Sequence, residues 1–289
     1  MATSADRPPA ESAGTQSRST LRQRLLTAAI LVPLLLAAMF LLPNFAWTLL
    51  ILVLAALGAL EWATLSALTA KLRIGFVAAV LLSGLLIVLA QWRLPALATS
   101  IGTWLYLLAL IFWAIAAPAW LYFKWRVSAP ALTMLTGWIV LVPAWFAVAT
   151  LQRSAALLLM LLLVIWIADT AAYFAGRRFG HRKLAPQISP GKTWEGVIGA
   201  AVAVLIYGFA IGFVLQPDAN PYNRAGLLVF VCVMTAFSVI GDLFESWIKR
   251  QAGAKDSGVL LPGHGGVLDR IDSVTAAMPF AALYFLQIT

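Results

Sequence analysis

Charge is what this sequence lacks most: only 11% of its 289 residues are Asp, Glu, Lys or Arg, against about 25% in a soluble domain. So few charges cannot cover a water-facing surface. With 62% hydrophobic residues and a mean hydropathy of +0.92, the chain needs a bilayer as its main solvent. Two histidines and the single Cys232 exclude a His/Cys zinc centre, a CxxC redox pair and an intrachain disulfide. Acids are scarcer than bases, 11 against 20, which leaves a net charge of +9. In a membrane protein that excess is read as anchoring to anionic headgroups, and no nucleic-acid partner is expected.

What the sequence has in plenty is apolar runs of roughly 20 residues, the length that crosses a bilayer as a helix. They fall at 25–42, 45–65, 74–92, 100–123, 131–151, 155–176, 197–215, 225–247 and 274–288. The expected fold is all-α: a polytopic integral membrane protein of about nine transmembrane helices, N-terminus cytoplasmic and C-terminus outside. That orientation puts seventeen of the 20 basic residues on the cytoplasmic side and leaves Arg93, Arg153 and Arg224 outside, in keeping with the positive-inside rule. Residues 1–24, rich in Ser, Thr, Ala and Pro without an apolar core, read as a disordered cytoplasmic tail. Residues 25–153 then form an N-terminal transmembrane region of five spans, and 154–289 a C-terminal catalytic region of four.

The acids divide the chain unevenly. Between residues 12 and 168 the only one is Glu61; Asp169, Glu195, Asp218, Asp242, Glu245, Asp256, Asp269 and Asp272 follow, all but Asp218 on the expected cytoplasmic side. An acid at membrane depth is costly unless paired, solvated or metal-bound, so it is a functional candidate. Asp169 and Tyr173 stand four apart, on one helix face. Asp242, Glu245, Ser246 and Lys249 form a stripe at helical spacing, and Asp269 and Asp272 are three apart. The competing reading is solvation of helix ends. Carboxylate oxygens suit Mg²⁺, which keeps several waters and takes the rest of its ligands from substrate phosphates.

The segment Ser189–Gly196 contains Gly191-Lys192-Thr193 but is no P-loop, since Pro186 stands where the first glycine of that pattern belongs and no strand is expected before it. It is read as a loop whose Lys192, Ser189 and Thr193 meet an anion at a helix N-terminus, or as an N-cap at Thr193 beside a basic anchor. The segment 249–273 is read as a loop carrying Lys249, Arg250, Lys255 and Arg270 around Gly263, His264, Gly265 and Gly266. Those cations can neutralise a polyphosphate, the glycines let backbone approach a ligand, and His264 is expected to touch a phosphate or base.

These residues resemble the C-terminal pattern of the phosphatidate cytidylyltransferase (CDP-diacylglycerol synthase) family. The match runs through Ser246, Lys249-Arg250, Lys255-Asp256, Leu261 to Gly266, and Asp269-Arg270-Ile271-Asp272-Ser273. Gly241 to Glu245, the Ser189–Gly196 segment, Asp169 to Arg177 and a Glu61-Trp62 pair also resemble family blocks. The resemblance implies a reaction of CTP with phosphatidate to give CDP-diacylglycerol and pyrophosphate, on the cytoplasmic face of a bacterial inner membrane. It implies Mg²⁺, alone or with a second cation such as K⁺, held by Asp242 and Asp269 with Glu245 and Asp272 beside them. It further implies phosphate contacts from Lys192, Lys249, Arg250, Lys255 and Arg270, and a homodimer. Two other readings compete: a CTP-dependent kinase of a lipid or polyprenol alcohol, and a cation-coupled transporter.

Overall fold

The structure, a computed structural model, describes residues 27, 29–215, 221–260 and 265–286. Its elements are α1 (Ala29–Leu41), α2 (Asn44–Leu65), α3 (Ala70–Arg93), α4 (Pro95–Ile111) and α5 (Ala117–Phe123), followed by α6 (Pro130–Leu151), α7 (Ala155–Phe179), α8 (Trp194–Leu215), α9 (Pro221–Gln251) and α10 (Leu268–Leu286). Six helical stretches are long and apolar enough to cross a membrane. Helices dominate because a bilayer offers no partner to an unpaired N–H or C=O. The chain is a polytopic integral membrane protein.

One of those stretches, Pro130–Phe179, runs for 50 residues. It is α6 and α7 joined by a short 3-10 turn, and the path breaks at Ser154, where φ is −117° and ψ 90°. Gln152 locks that corner to the α1–α2 junction: its Nε2 donates to Met39 O at 2.9 Å and Leu42 O at 3.2 Å, and its Oε1 accepts from Asn44 Nδ2 at 2.8 Å.

Two expectations need correction. The fold is nearly all helical, but the Ser189–Gly196 segment, expected to be a loop with no strand before it, is part of an antiparallel hairpin: β1 (Lys183–Ala185) and β2 (Ser189–Thr193), with Lys183 opposite Thr193 and Ala185 opposite Ser189. Strands this short, one holding Pro190 and Gly191, carry no period-2 hydrophobic signal. The 249–273 segment is not all loop either, since α9 continues to Gln251 and α10 begins at Leu268. Hydropathy marks where oil begins, not where a helix ends. Asp269 and Asp272 in fact sit in the first turns of α10, where the helix dipole favours an acid.

The expected fourth span runs from Pro95 to Phe123 through a π-helical turn, Phe112–Ala116. Widening the helix there lets consecutive residues face one ring: Phe112 and Trp113 meet Phe244 edge-on at 5.4 and 5.5 Å between centroids. Trp120 joins them at 5.5 Å and Trp62 stacks at 6.5 Å. Trp62 is itself held by a hydrogen bond from Nε1 to Thr133 O at 3.0 Å. Phe244 belongs to α9, so this cage from α2, the π-helical turn and α5 fixes how α9 is rotated and where its polar stripe points. Phe244→Ala is expected to cost about 3–5 kcal/mol of stability, read as the unfolding midpoint in detergent.

Candidate active site

Four elements deliver charged side chains to one end of the bundle. The later turns of α7 bring Asp169, β2 brings Lys192, the last turns of α9 bring Asp242, Glu245, Ser246 and Lys249, and the first turns of α10 bring Asp269 and Asp272. The crossing of α9 and α10 is close: a Cβ on Gly241 would lie 2.5 Å from Asp272 O. Any side chain at 241 would therefore push the two acidic segments apart.

Two lysines organise the acids. Lys192 Nζ lies 2.5 Å from Asp242 Oδ2, with Asp169 and Asp272 also in its electrostatic reach. Lys249 Nζ sits between Glu245 Oε2 at 2.5 Å and Asp269 Oδ1 at 2.6 Å. The Glu245–Lys249 contact is a close ion pair through Oε2, while Glu245 Oε1 has no hydrogen-bond partner among the described residues. Exposure separates the clusters. The side chains of Lys192 and Asp242 are 24% and 31% exposed, those of Lys249, Glu245 and Asp269 only 13%, 7% and 7%. A ligand can reach the first pair, whereas the second is sealed behind it.

Asp269 is heavily engaged. Its Oδ2 accepts from Ser257 N and Gly266 N, both at 2.8 Å, and lies 3.0 Å from Ser257 Oγ. Gly265 makes this possible: its φ is +81°, and a Cβ there would stand 2.5 Å from that oxygen. Asp242 Oδ1 accepts from Ser246 Oγ at 3.3 Å, and Asp272 Oδ1 accepts the N–H of Ser273 at 2.7 Å.

The hairpin is tied to the end of α9 by Arg250, whose Nε donates to Ile188 O at 3.3 Å; this keeps Lys192 over Asp242. Glu195 accepts the Arg182 N–H with both oxygens, at 3.1 and 3.2 Å. Thr193 is buried, and its Oγ1 accepts from Gly196 N at 3.2 Å, so its hydroxyl caps α8. Thr193→Ala is expected to lower stability by about 1 kcal/mol, measured as a drop in unfolding midpoint.

Ser189 opens β2 and is half-buried, while Arg250, Lys255 and Arg270 are exposed. Tyr173 is exposed, with its hydroxyl accepting from Arg177 Nη1 at 3.0 Å. Among the described residues, no hydrogen bond or ion pair joins Tyr173 or Lys255 to the acid clusters. Gly263 and His264 lie outside the described residues.

Sequence reasoning gave no role to Glu61 or Ser257. The side chain of Glu61, on α2, reaches the turn before α10 and accepts from Val267 N and Leu268 N at 2.9 Å and from Ser257 Oγ at 2.8 Å. The available signal was its isolation as the one acid between residues 12 and 168.

Among the described residues, no three Asp, Glu, His or Cys side chains close on one point as a ready-made metal cage does. The donor set nonetheless fits a hard cation in kind. It is all carboxylate oxygen, it outnumbers its two lysines, and it includes Glu245 Oε1, which has no hydrogen-bond partner among the described residues.

A helical membrane protein with lysine–carboxylate clusters at one end of its bundle has the equipment of an enzyme that handles phosphate groups at a bilayer surface. The chain belongs to the cytidylyltransferase family, which it matches over residues 22–288, and is thus a nucleotidyltransferase. It is 40% identical over 277 residues to the phosphatidate cytidylyltransferase of Pseudomonas aeruginosa, covering 91% of this chain and 96% of that one. It is 37% identical over 291 residues to the Haemophilus influenzae protein of the same name, covering 92% and 98%. The Bacillus subtilis phosphatidate cytidylyltransferase shares 47% identity over 123 residues, 43% of this chain.

Proposed function

We propose that this site transfers the cytidylyl group of CTP to the phosphate of phosphatidate, releasing pyrophosphate and leaving CDP-diacylglycerol in the bilayer. The observation that supports it best is the reachable Lys192–Asp242 pair backed by the sealed Lys249 cluster. A phosphatidate oxygen forms a bond to the α-phosphorus of CTP as the bond to pyrophosphate breaks in line. The nucleophile is already an anion, so positioning and charge neutralisation are the main tasks. Lys192, exposed enough to turn from Asp242 to a phosphate, is the first contact. Arg250, Lys255 and Arg270 stand at the rim to offset charge on departing pyrophosphate. Lys249 keeps the sealed acids in place, and Gly265 and Gly266, with Gly263 and His264, approach the nucleotide.

Mg²⁺ held by these carboxylates would neutralise phosphate charge and polarise the α-phosphate. Asp272 would hold it through Oδ2, and Asp242 through the oxygen that Lys192 releases on turning to a phosphate. Glu245 would join through Oε1, and Asp269 only as one of its present contacts gave way; a second cation such as K⁺ belongs to the same reading. Chelation by EDTA is expected to abolish turnover and added Mg²⁺ to restore it, and turnover that survives the chelator would remove the metal from the account.

The same reading has about nine spans, the N-terminus in the cytoplasm, the C-terminus outside and the site on the cytoplasmic face of a bacterial inner membrane. It is supported by Lys192, Lys249, Arg250, Lys255 and Arg270 at the site's end and by Arg153 at the α6–α7 corner. Purified protein given phosphatidate and CTP labelled at either the α- or the γ-phosphorus tests the chemistry. The α label is expected in the lipid and the γ label in pyrophosphate. A γ label in the lipid would make the protein a kinase.

A further inference from the structure

Glu61 is an acid buried in a membrane protein, 6% exposed, with no basic side chain against it among the described residues. Such a group is costly unless its oxygens are well supplied with donors. They are, and all the donors come from the far end of the sequence. Oε1 accepts from Val267 N; Oε2 accepts from Leu268 N and Ser257 Oγ. Val267 immediately precedes α10 and Leu268 opens it, so their N–H groups are among those a helix leaves unsatisfied, and the helix dipole favours a carboxylate there. Glu61 therefore caps α10 from another helix. Glycines make room for it: a Cβ on Gly258 would stand 2.7 Å from Glu61 Oε1, and one on Gly266 would collide with Ser257 and Glu61.

Ser257 connects this cap to the site. Its hydroxyl reaches Glu61 Oε2 at 2.8 Å and Asp269 Oδ2 at 3.0 Å, and its N–H donates to the same Asp269 oxygen. Asp269 in turn holds Lys249. The turn carrying Gly265 and Gly266 is thus clamped between two carboxylates, one on α10 itself and one from α2.

We infer that Glu61 is a positioning residue for the transfer reaction: by capping α10 and holding Ser257, it sets Asp269, Lys249 and the glycine turn where the phosphates bind. The inference rests on the proposed function for its kinetic consequences and on geometry alone for its structural ones. It also gives the N-terminal spans a part in catalysis, since α2 supplies both the cap and, through Trp62, one wall of the Phe244 cage.

The test uses the full chain in detergent, with Glu61→Gln, Ser257→Ala and the double variant. An amide at 61 keeps one acceptor and turns an NH₂ toward the backbone N–H groups, so the turn should shift without an emptied cavity. Glu61→Gln is expected to lower kcat about 100-fold, the effect of an ångström-scale displacement, with a much smaller change in the KM for CTP. Ser257→Ala is expected to lower kcat about tenfold, and the double variant to be no slower than Glu61→Gln, because both changes cut one connection. Hydrogen exchange of the amides of Val267 and Leu268 should accelerate in Glu61→Gln and stay slow in α2.

A folded Glu61→Gln protein with wild-type kcat would overturn the inference, as would losses that multiply in the double variant or unchanged exchange at 267–268. Should Glu61→Gln fail to fold, Ser257→Ala decides: wild-type kcat and exchange in that variant would overturn it. Failure of the wild-type protein to make CDP-lipid would instead count against the proposed function, and the exchange measurement would still judge the cap.

Discussion

Asp242→Asn is expected to lower turnover on the order of 10³-fold, the scale of losing several kcal/mol of charge stabilisation in the transition state. Asp242 is the acid at the point where ligand can enter, paired with Lys192 and with its other oxygen accepting from Ser246. An amide keeps the shape and the hydrogen bond but removes the charge. Because the pair is about a third exposed on the Asp242 side, losing it should cost the fold little, near the ~0–1 kcal/mol of a surface pair. Activity should therefore vanish from a protein that still purifies and unfolds at nearly its usual temperature. Turnover within tenfold of wild type would remove Asp242 from the reacting centre.

Lys249→Met is expected to do the opposite in proportion, damaging fold and activity together. Lys249 is the cation between Glu245 and Asp269, and all three side chains are nearly buried. Removing it leaves two uncompensated carboxylates facing each other, and breaking a buried pair in this way costs about 3–5 kcal/mol. Combining it with Glu245→Leu removes one stranded charge. The double variant should recover part of the stability and none of the turnover. A single Lys249→Met variant as stable as wild type would show that the sealed cluster is solvated or relaxes freely.

The helices were legible because each span must be apolar over its own length. Their ends were not: the apolar run ending near 247 hides four more helical residues in α9, and the run starting at 274 hides the charged first turns of α10. Those few residues carry Lys249, Asp269 and Asp272, so misplacing them hides the geometry that matters. That acids and bases gather on one side was also legible, since the chain has so few acids. Which acid meets which lysine was not, because the partners come from a hairpin and three helices. Thr193 carried two readings, and its buried hydroxyl chose the cap. The contribution of α2 was the least visible: the bond from Val267 to Glu61 spans 206 residues, and no local pattern announces it. The cage around Phe244 was hidden for a similar reason, as aromatic residues in a membrane chain are common and only the π-helical turn aims two neighbours at one ring.

In the proposed function the nucleotide phosphates bind beside Lys192 and Asp242, where α7 and α9 end and α8 and α10 begin. A photoreactive analogue of CTP, cross-linked to the membrane-embedded protein and mapped by peptide sequencing, tests it directly. Label that excess CTP competes away is expected on peptides covering 181–193 and 250–270. Label placed instead at 91–99 or 150–154, around the opposite end of the bundle at Arg153, would contradict the account.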